Sequence, residues 1–154
     1  MIRVKLLIRS LLLPLAVGLL GSLVTGMKET RALYAVLPKP PFAPPGIVFP
    51  IVWTALYILM GLSAYLVRVK APQETVYFRL YYFLLLLNFL WMPLFFKLCW
   101  FGWALIDIGV MAAVLLVMML AVRRVSLAAM LMQIPHLLWL LYAGYLNYGI
   151  MALT

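Results

Sequence analysis

Pro38-Lys39-Pro40-Pro41-Phe42-Ala43-Pro44-Pro45-Gly46 runs into Pro50-Ile51-Val52-Trp53-Thr54-Ala55-Leu56-Tyr57, and it is the one long break in an otherwise almost continuously apolar chain. Five prolines fall within the eight residues 38–45. Proline fixes its own φ and pushes the preceding residue towards extended conformations. The stretch therefore reads as a stiff, extended loop held over something, with a Trp-bearing apolar helix starting directly after it.

On both sides of this break the sequence is apolar enough to define the class. Of 154 residues, 69% are hydrophobic and 10% charged, and mean hydropathy is +1.18. Ordinary soluble domains run about 45–50% apolar and about 25% charged. A soluble fold would expose most of this surface, so the chain reads as an integral, multi-pass membrane protein of one domain, residues 1–154, embedded in the lipid bilayer. The net charge of +9 reads as membrane topology rather than as a nucleic-acid surface, because the basic residues sit at the ends of apolar runs. A lone Cys99 excludes an internal disulfide, and a lone His136 argues against a His-rich metal site. With Glu29, Glu74 and Asp107 the only acids, a catalytic carboxylate pair is not expected, nor is a metal site or a required cofactor.

The charged residues parse the spans. A spanning helix needs about 20 apolar residues, and the charge-poor runs predict an all-α bundle of five transmembrane helices at about 6–25, 47–67, 77–97, 101–122 and 127–150, with the Pro-rich loop 26–46 as a lid between helices one and two. Met1-Ile2-Arg3-Val4-Lys5-Leu6 resembles the start of a signal peptide. No Ala-x-Ala-like site follows, so the segment is read as a retained first helix. One side collects Arg3, Lys5, Arg9, Arg68, Lys70, Arg79, Arg123 and Arg124, and the other Lys28, Arg31, Lys39 and Lys97. In a plasma membrane this bias puts the N-terminus inside and the 26–46 loop outside.

Four predicted helices carry one proline each: Pro14, Pro50, Pro93 and Pro135. Pro50 falls in a first turn, where proline is tolerated, whereas Pro93 and Pro135 lie deeper and should bend their helices. Polar side chains at membrane depth are few: Asn88, Asp107, Gln133, His136 and Asn147. Each is either a functional group or an interhelical packing bond. Trp100 and Trp103 beside Lys97, and Tyr77, Tyr81 and Tyr82 beside Arg79, fit interfacial aromatic belts. Trp53 and Trp139 fit a belt less well. Trp139, Ala143 and Asn147 share a face with Pro135, and Asn88, Trp91, Met92 and Phe95 share another. Aromatic walls with one or two polar anchors describe a pocket for a large flat apolar ligand, although core packing alone gives the same stripes.

Several segments then carry a resemblance. Lys39-Pro40-Pro41-Phe42-Ala43-Pro44-Pro45 with Trp53 to Gly61, Leu87 to Phe96, Gly102 to Asp107, Arg124-Val125-Ser126, and Pro135 to Trp139 with Leu146-Asn147-Tyr148 are collinear with the translocator protein family (TspO/MBR), also called peripheral-type benzodiazepine receptors or tryptophan-rich sensory proteins. The match runs from about residue 30 to 150. The resemblance implies a five-helix bundle, usually a homodimer. It also implies a receptor for porphyrins of the protoporphyrin IX type, for sterols such as cholesterol in eukaryotic members, and for benzodiazepine-type ligands. Carried over by motif, the ligand-binding residues are Tyr34, Pro44, Trp53, Asn88, Trp91, Phe95, Trp139, Ala143 and Leu146, with Asp107 and Asn147 as structural polar residues.

Some bacterial members are reported to degrade porphyrin photo-oxidatively with pocket tryptophans implicated, and Trp53 and Trp139 hold those positions here. The expected function is thus a porphyrin-binding receptor or sensor assisting tetrapyrrole transport. A transporter of porphyrin or sterol-like molecules and a light-dependent porphyrin-degrading protein are the alternatives. The short loops favour a bacterial membrane, or the mitochondrial outer membrane in a eukaryote. Leu33-Tyr34 stands where the family commonly has Trp-Tyr, Phe42 where it has Trp, and no basic residue follows Tyr148, which leaves the sterol motif incomplete. A greasier lid than usual follows from the first two substitutions.

Overall fold

A computed structural model describes residues 3–154; Met1 and Ile2, which open the signal-like segment, lie outside the described residues. The helices are α1 (Val4–Thr25), α2 (Met27–Val36), α3 (Val48–Lys70), α4 (Val76–Met92), α5 (Phe101–Arg123), α6 (Leu127–Leu131) and α7 (Ile134–Leu153). A π-helical turn, Pro93–Lys97, extends α4. Five spans are long and apolar enough to cross a bilayer: Val4–Thr25, Val48–Lys70, Val76–Lys97, Phe101–Arg123 and Leu127–Leu153. The protein is an integral membrane protein, and the span limits agree with the charge-parsed ones to within three residues.

The expected loop over 26–46 is corrected in its first half. Residues Met27–Val36 form a helix, and only the stretch after it is irregular. The local reason is periodicity: Met27, Thr30, Arg31 and Tyr34 fall at i, i+3, i+4 and i+7, so one face points at the bundle while Lys28 and Glu29 stay in water. Lys39 closes this helix by donating to the Ala35 and Leu37 carbonyls, as a cation at a helix C-terminus does.

Around the bundle α1 packs on α3 and α4, α4 on α5, and α5 on α7, while α6 touches α3 and closes the ring. The core holds Met60, Val67, Leu84, Met111, Leu115, Met118 and Leu140, each with no exposed surface. Leu12, Leu19, Leu20 and Leu23 of α1 point outward, where lipid is their solvent. The two ends of the bundle group the basic residues as the charge count does: Arg3 meets Tyr65, and Lys70 reaches Ser126, at one end.

The prolines act as breaks. Pro93 has no N–H to give the Phe89 carbonyl, and the chain continues as the π turn, with Leu98 N–H bonded five residues back to the Pro93 carbonyl. Cys99 then takes a left-handed φ of 54° and Trp100 N–H returns to the Leu94 carbonyl, a helix-ending pattern that usually uses glycine. Pro135 does more than bend the fifth span. The helix stops at Leu131 and restarts at Ile134, which puts Pro135 in the first turn of α7, where its missing donor leaves no bond unmade. The belt reading of Tyr77 and Tyr81 is also corrected. Both are buried, stacked on each other at 5.9 Å, and Tyr77 bonds Ser63, which bonds the Ala129 carbonyl. Trp100, Trp103 and Tyr82 are exposed, as a belt requires.

The Pro-rich segment is strapped to α7. Tyr142 donates to the Phe42 carbonyl at 2.7 Å and Tyr145 to the Pro41 carbonyl at 2.9 Å. Phe42, 89% exposed, sits at φ 63°, a conformation that persists only when its surroundings hold it. A Tyr142→Phe, Tyr145→Phe double variant should free this turn. Net worths of about 0.5–1.5 kcal/mol per bond give amide exchange over residues 38–46 about five-fold faster or more by mass spectrometry. Unchanged protection would mean that the prolines alone hold the segment.

Candidate functional site

Between α1, α2, α3 and α4 lies a cavity of about 300 Å³. Its walls follow from the element geometry. From α1 come Leu15, Gly18 and Ser22, at i, i+3 and i+7; α2 supplies Met27, Thr30, Arg31 and Tyr34; α3 supplies Phe49, Trp53 and Tyr57; α4 supplies Asn88, Trp91 and Met92. The α1 wall can come this close because Gly18 has no side chain: a Cβ there would run into the Tyr57 ring. Leu19, Met27, Arg31, Pro50 and Thr54 are exposed at the rim, so the mouth lies where α1, α2 and the start of α3 meet.

Aromatic rings dominate the interior. Trp53 stacks on Tyr57 at 5.6 Å, faces Trp91 at 6.5 Å and meets His136 edge-on at 5.9 Å. Trp91 stacks on Phe95 at 5.1 Å. Two polar groups stand out. Asn88, 2% exposed, donates from Nδ2 to the Leu84 carbonyl at 2.7 Å, and its Oδ1 has no partner among the described residues. Trp91 Nε1 is buried and unpaired too. A buried acceptor left without a donor is costly, and here acceptor and indole donor belong to residues that line one cavity. Arg31 is the only charged residue on the lining. Glu29, two positions away on α2, does not share its face.

A second cavity of about 10 Å³, room for about one water, lies behind the first. Tyr34, Phe49, Trp91 and Phe96 line both, and Phe95, Ala143, Leu146, Asn147 and Ile150 complete the inner one. The motif-derived residues therefore divide. Tyr34, Trp53, Asn88 and Trp91 face the larger cavity; Phe95, Ala143 and Leu146 face the smaller. Pro44 lines neither and acts through its carbonyl, which accepts from the Tyr34 hydroxyl at 2.8 Å. Burial, and after it the neighbouring Tyr142 phenol, raises the Tyr34 hydroxyl above the ordinary phenol range, so it remains a donor. Trp139 also lines neither cavity: it backs Phe49 at 5.8 Å and Tyr142 at 5.4 Å. Of the two structural polar residues, Asn147 bonds the Phe101 carbonyl at 2.7 Å, an interhelical tie between α7 and α5. Asp107 is buried in α5 with one unpaired oxygen.

Sequence reasoning missed the α1 wall, Phe49 and Arg31. The spacing of Gly18 and Ser22 was a usable signal, since small residues four apart on a membrane helix mark a close approach.

A sequence model described as the TspO/MBR family matches residues 10–153. The translocator protein of Bos taurus is 36% identical over 141 residues, which cover 89% of this chain and 83% of that protein. The tryptophan-rich protein TspO of Chlorobaculum tepidum is 38% identical over 147 residues, covering 92% and 91%. Its namesake in Archaeoglobus fulgidus is 34% identical over 157 residues, covering 96% of each chain.

Proposed function

The chain belongs to the TspO/MBR family of membrane proteins, and from that premise we propose that it is a receptor for flat, largely apolar ring ligands of the porphyrin class, seated in the cavity between α1, α2, α3 and α4. Family membership gives the coarser role, a membrane translocator or sensor. The ligand class rests on the lining. Trp53, Trp91 and Tyr57 offer ring faces to stack on. Asn88 Oδ1 accepts a ring N–H without having to give up a protein partner. At the mouth, Arg31 meets a carboxylate carried on the ring's edge. The observation that carries the reading is the pairing of an aromatic cavity with this one buried, unpartnered acceptor.

The lining also favours binding over ion-coupled pumping. Coupled carriers use titratable groups at membrane depth, and among the described residues no Asp, Glu or His lines the cavity.

Titration of the detergent-solubilised protein with protoporphyrin IX, read by quenching of tryptophan fluorescence, is the test. Saturable quenching is expected, because two cavity tryptophans stand within ring contact of the ligand; only linear, non-saturable quenching would overturn the reading. An Arg31→Gln variant should bind the free acid about 1.4- to five-fold more weakly and its dimethyl ester unchanged. That range is the effect of about 0.2–1 kcal/mol expected of an exposed ion pair. Equal loss for both forms would remove Arg31 from the site.

A further inference from the structure

We propose that Phe49 is a movable partition between the two cavities, and that its displacement sets the size of ligand this protein accepts. The inference rests on the receptor reading and deepens it. At about 300 Å³ the larger cavity stands at the lower end of the range of about 300–1,000 Å³ found for ligand pockets. A macrocycle with substituents on its edge needs more depth than that. The inner cavity itself adds only about 10 Å³, so the depth has to come from the wall of four aromatic residues that the two cavities share, once a ring in it turns aside.

Two members of that wall are half-buried, and Phe49 is the one assigned to move: Phe96 is packed edge-on against two rings of its own segment, Phe95 at 4.8 Å and Trp91 at 5.7 Å, whereas Phe49 meets only rings from other helices. Trp91 is buried and held by stacking on Phe95, and Tyr34 is pinned by its bond to Pro44. Phe49 is half-buried and stands in the first turn of α3, directly after the irregular segment. Its contacts are edge-on: Tyr34 at 5.0 Å on one side and Trp139 at 5.8 Å on the other. No hydrogen bond fixes a phenyl ring, so a change of χ1 opens the wall.

The inner cavity, small as it is, carries a polar group of its own. Asn147, 1% exposed, lines it with an Oδ1 that has no partner among the described residues. Asn88, on the larger cavity, has an Oδ1 in the same unpaired state among the described residues. A ring spanning both compartments would meet an acceptor at each end, which specifies a ligand with two separated N–H or O–H donors. It would also bring the ring to Trp139, whose contact with the larger cavity is otherwise blocked by Phe49.

Two probes separate the compartments: protoporphyrin IX, which needs both, and 6-bromo-2-naphthol, a two-ring quencher small enough for the outer one. In Phe49→Ala the affinity for porphyrin relative to the naphthol should rise at least five-fold. In Ala143→Leu, which fills only the inner cavity, porphyrin should weaken about ten-fold or more while the naphthol keeps its affinity. Leu146→Phe repeats that arm should Ala143→Leu fail to fold. Porphyrin affinity that neither variant changes relative to the naphthol overturns the partition. Should porphyrin not bind the wild type, the receptor reading falls. The partition then stands only if Phe49→Ala gains porphyrin binding, and otherwise falls with it.

Discussion

Replacing Trp91 by alanine should abolish ligand binding more completely than any other single change in the cavity, with porphyrin affinity reduced about 100-fold or more. Trp91 lines both cavities. It is 6% exposed, faces Trp53, stacks on Phe95 and takes Phe96 edge-on at 5.7 Å. A flat ligand loses its stacking surface, worth about 1–3 kcal/mol per ring where it has been measured on nucleobases. The neighbouring rings also lose the partner that orients them. Truncating a buried tryptophan destabilises a fold by about 3–5 kcal/mol, so binding must be separated from folding. Trp53→Ala does this: Trp53 is only half-buried, and its loss should leave helicity intact while still weakening porphyrin about ten-fold. Circular dichroism melts recorded beside quenching titrations distinguish the two effects. Unchanged porphyrin affinity in a folded Trp53→Ala protein would sink the aromatic site.

The spans were legible because a bilayer imposes length and charge rules on every helix that crosses it. Short-range physics not visible in composition set the rest. Residues 27–36 looked like loop because Lys28, Glu29 and Arg31 fall within them, yet Met27, Thr30, Arg31 and Tyr34 carried the helical period. The π turn after Pro93 depends on which carbonyls neighbouring elements satisfy, and a sequence does not state that. Of the motif-derived residues, Tyr34, Trp53, Asn88 and Trp91 line the larger cavity. Trp139 is not on the lining, because a face shared on one helix says nothing about the ring standing in front of it. That ring is Phe49, and it comes from another helix.

The largest effect on the fold should come from Gly61. Pro14 cannot bond the carbonyl of Ser10 one turn earlier in α1, and α3 crosses α1 at that point. A Cβ on Gly61 would lie 2.6 Å from Ser10 O and 2.9 Å from Leu11 Cα, both backbone atoms that cannot rotate aside. Gly61 therefore lets α3 press against the α1 backbone at that carbonyl. Gly18 does the corresponding work from α1 against Tyr57, so the cavity's wall depends on the same close crossing. Gly61→Val forces the helices apart. Overpacking costs about 1–3 kcal/mol, occasionally more, and a clash with backbone belongs at the upper end. At about 2–4 °C per kcal/mol for a chain of this size, the melting temperature in detergent should fall by about 6–12 °C. Porphyrin affinity should fall with it as the α1 wall withdraws. Gly109→Val is the control, because nothing lies within 4 Å of a Cβ at Gly109 in the middle of α5; its melting temperature should stay within about 2 °C of wild type, under 1 kcal/mol on the same scale. Equal melting temperatures for the two variants would show that the crossing of α1 and α3 does not depend on glycine.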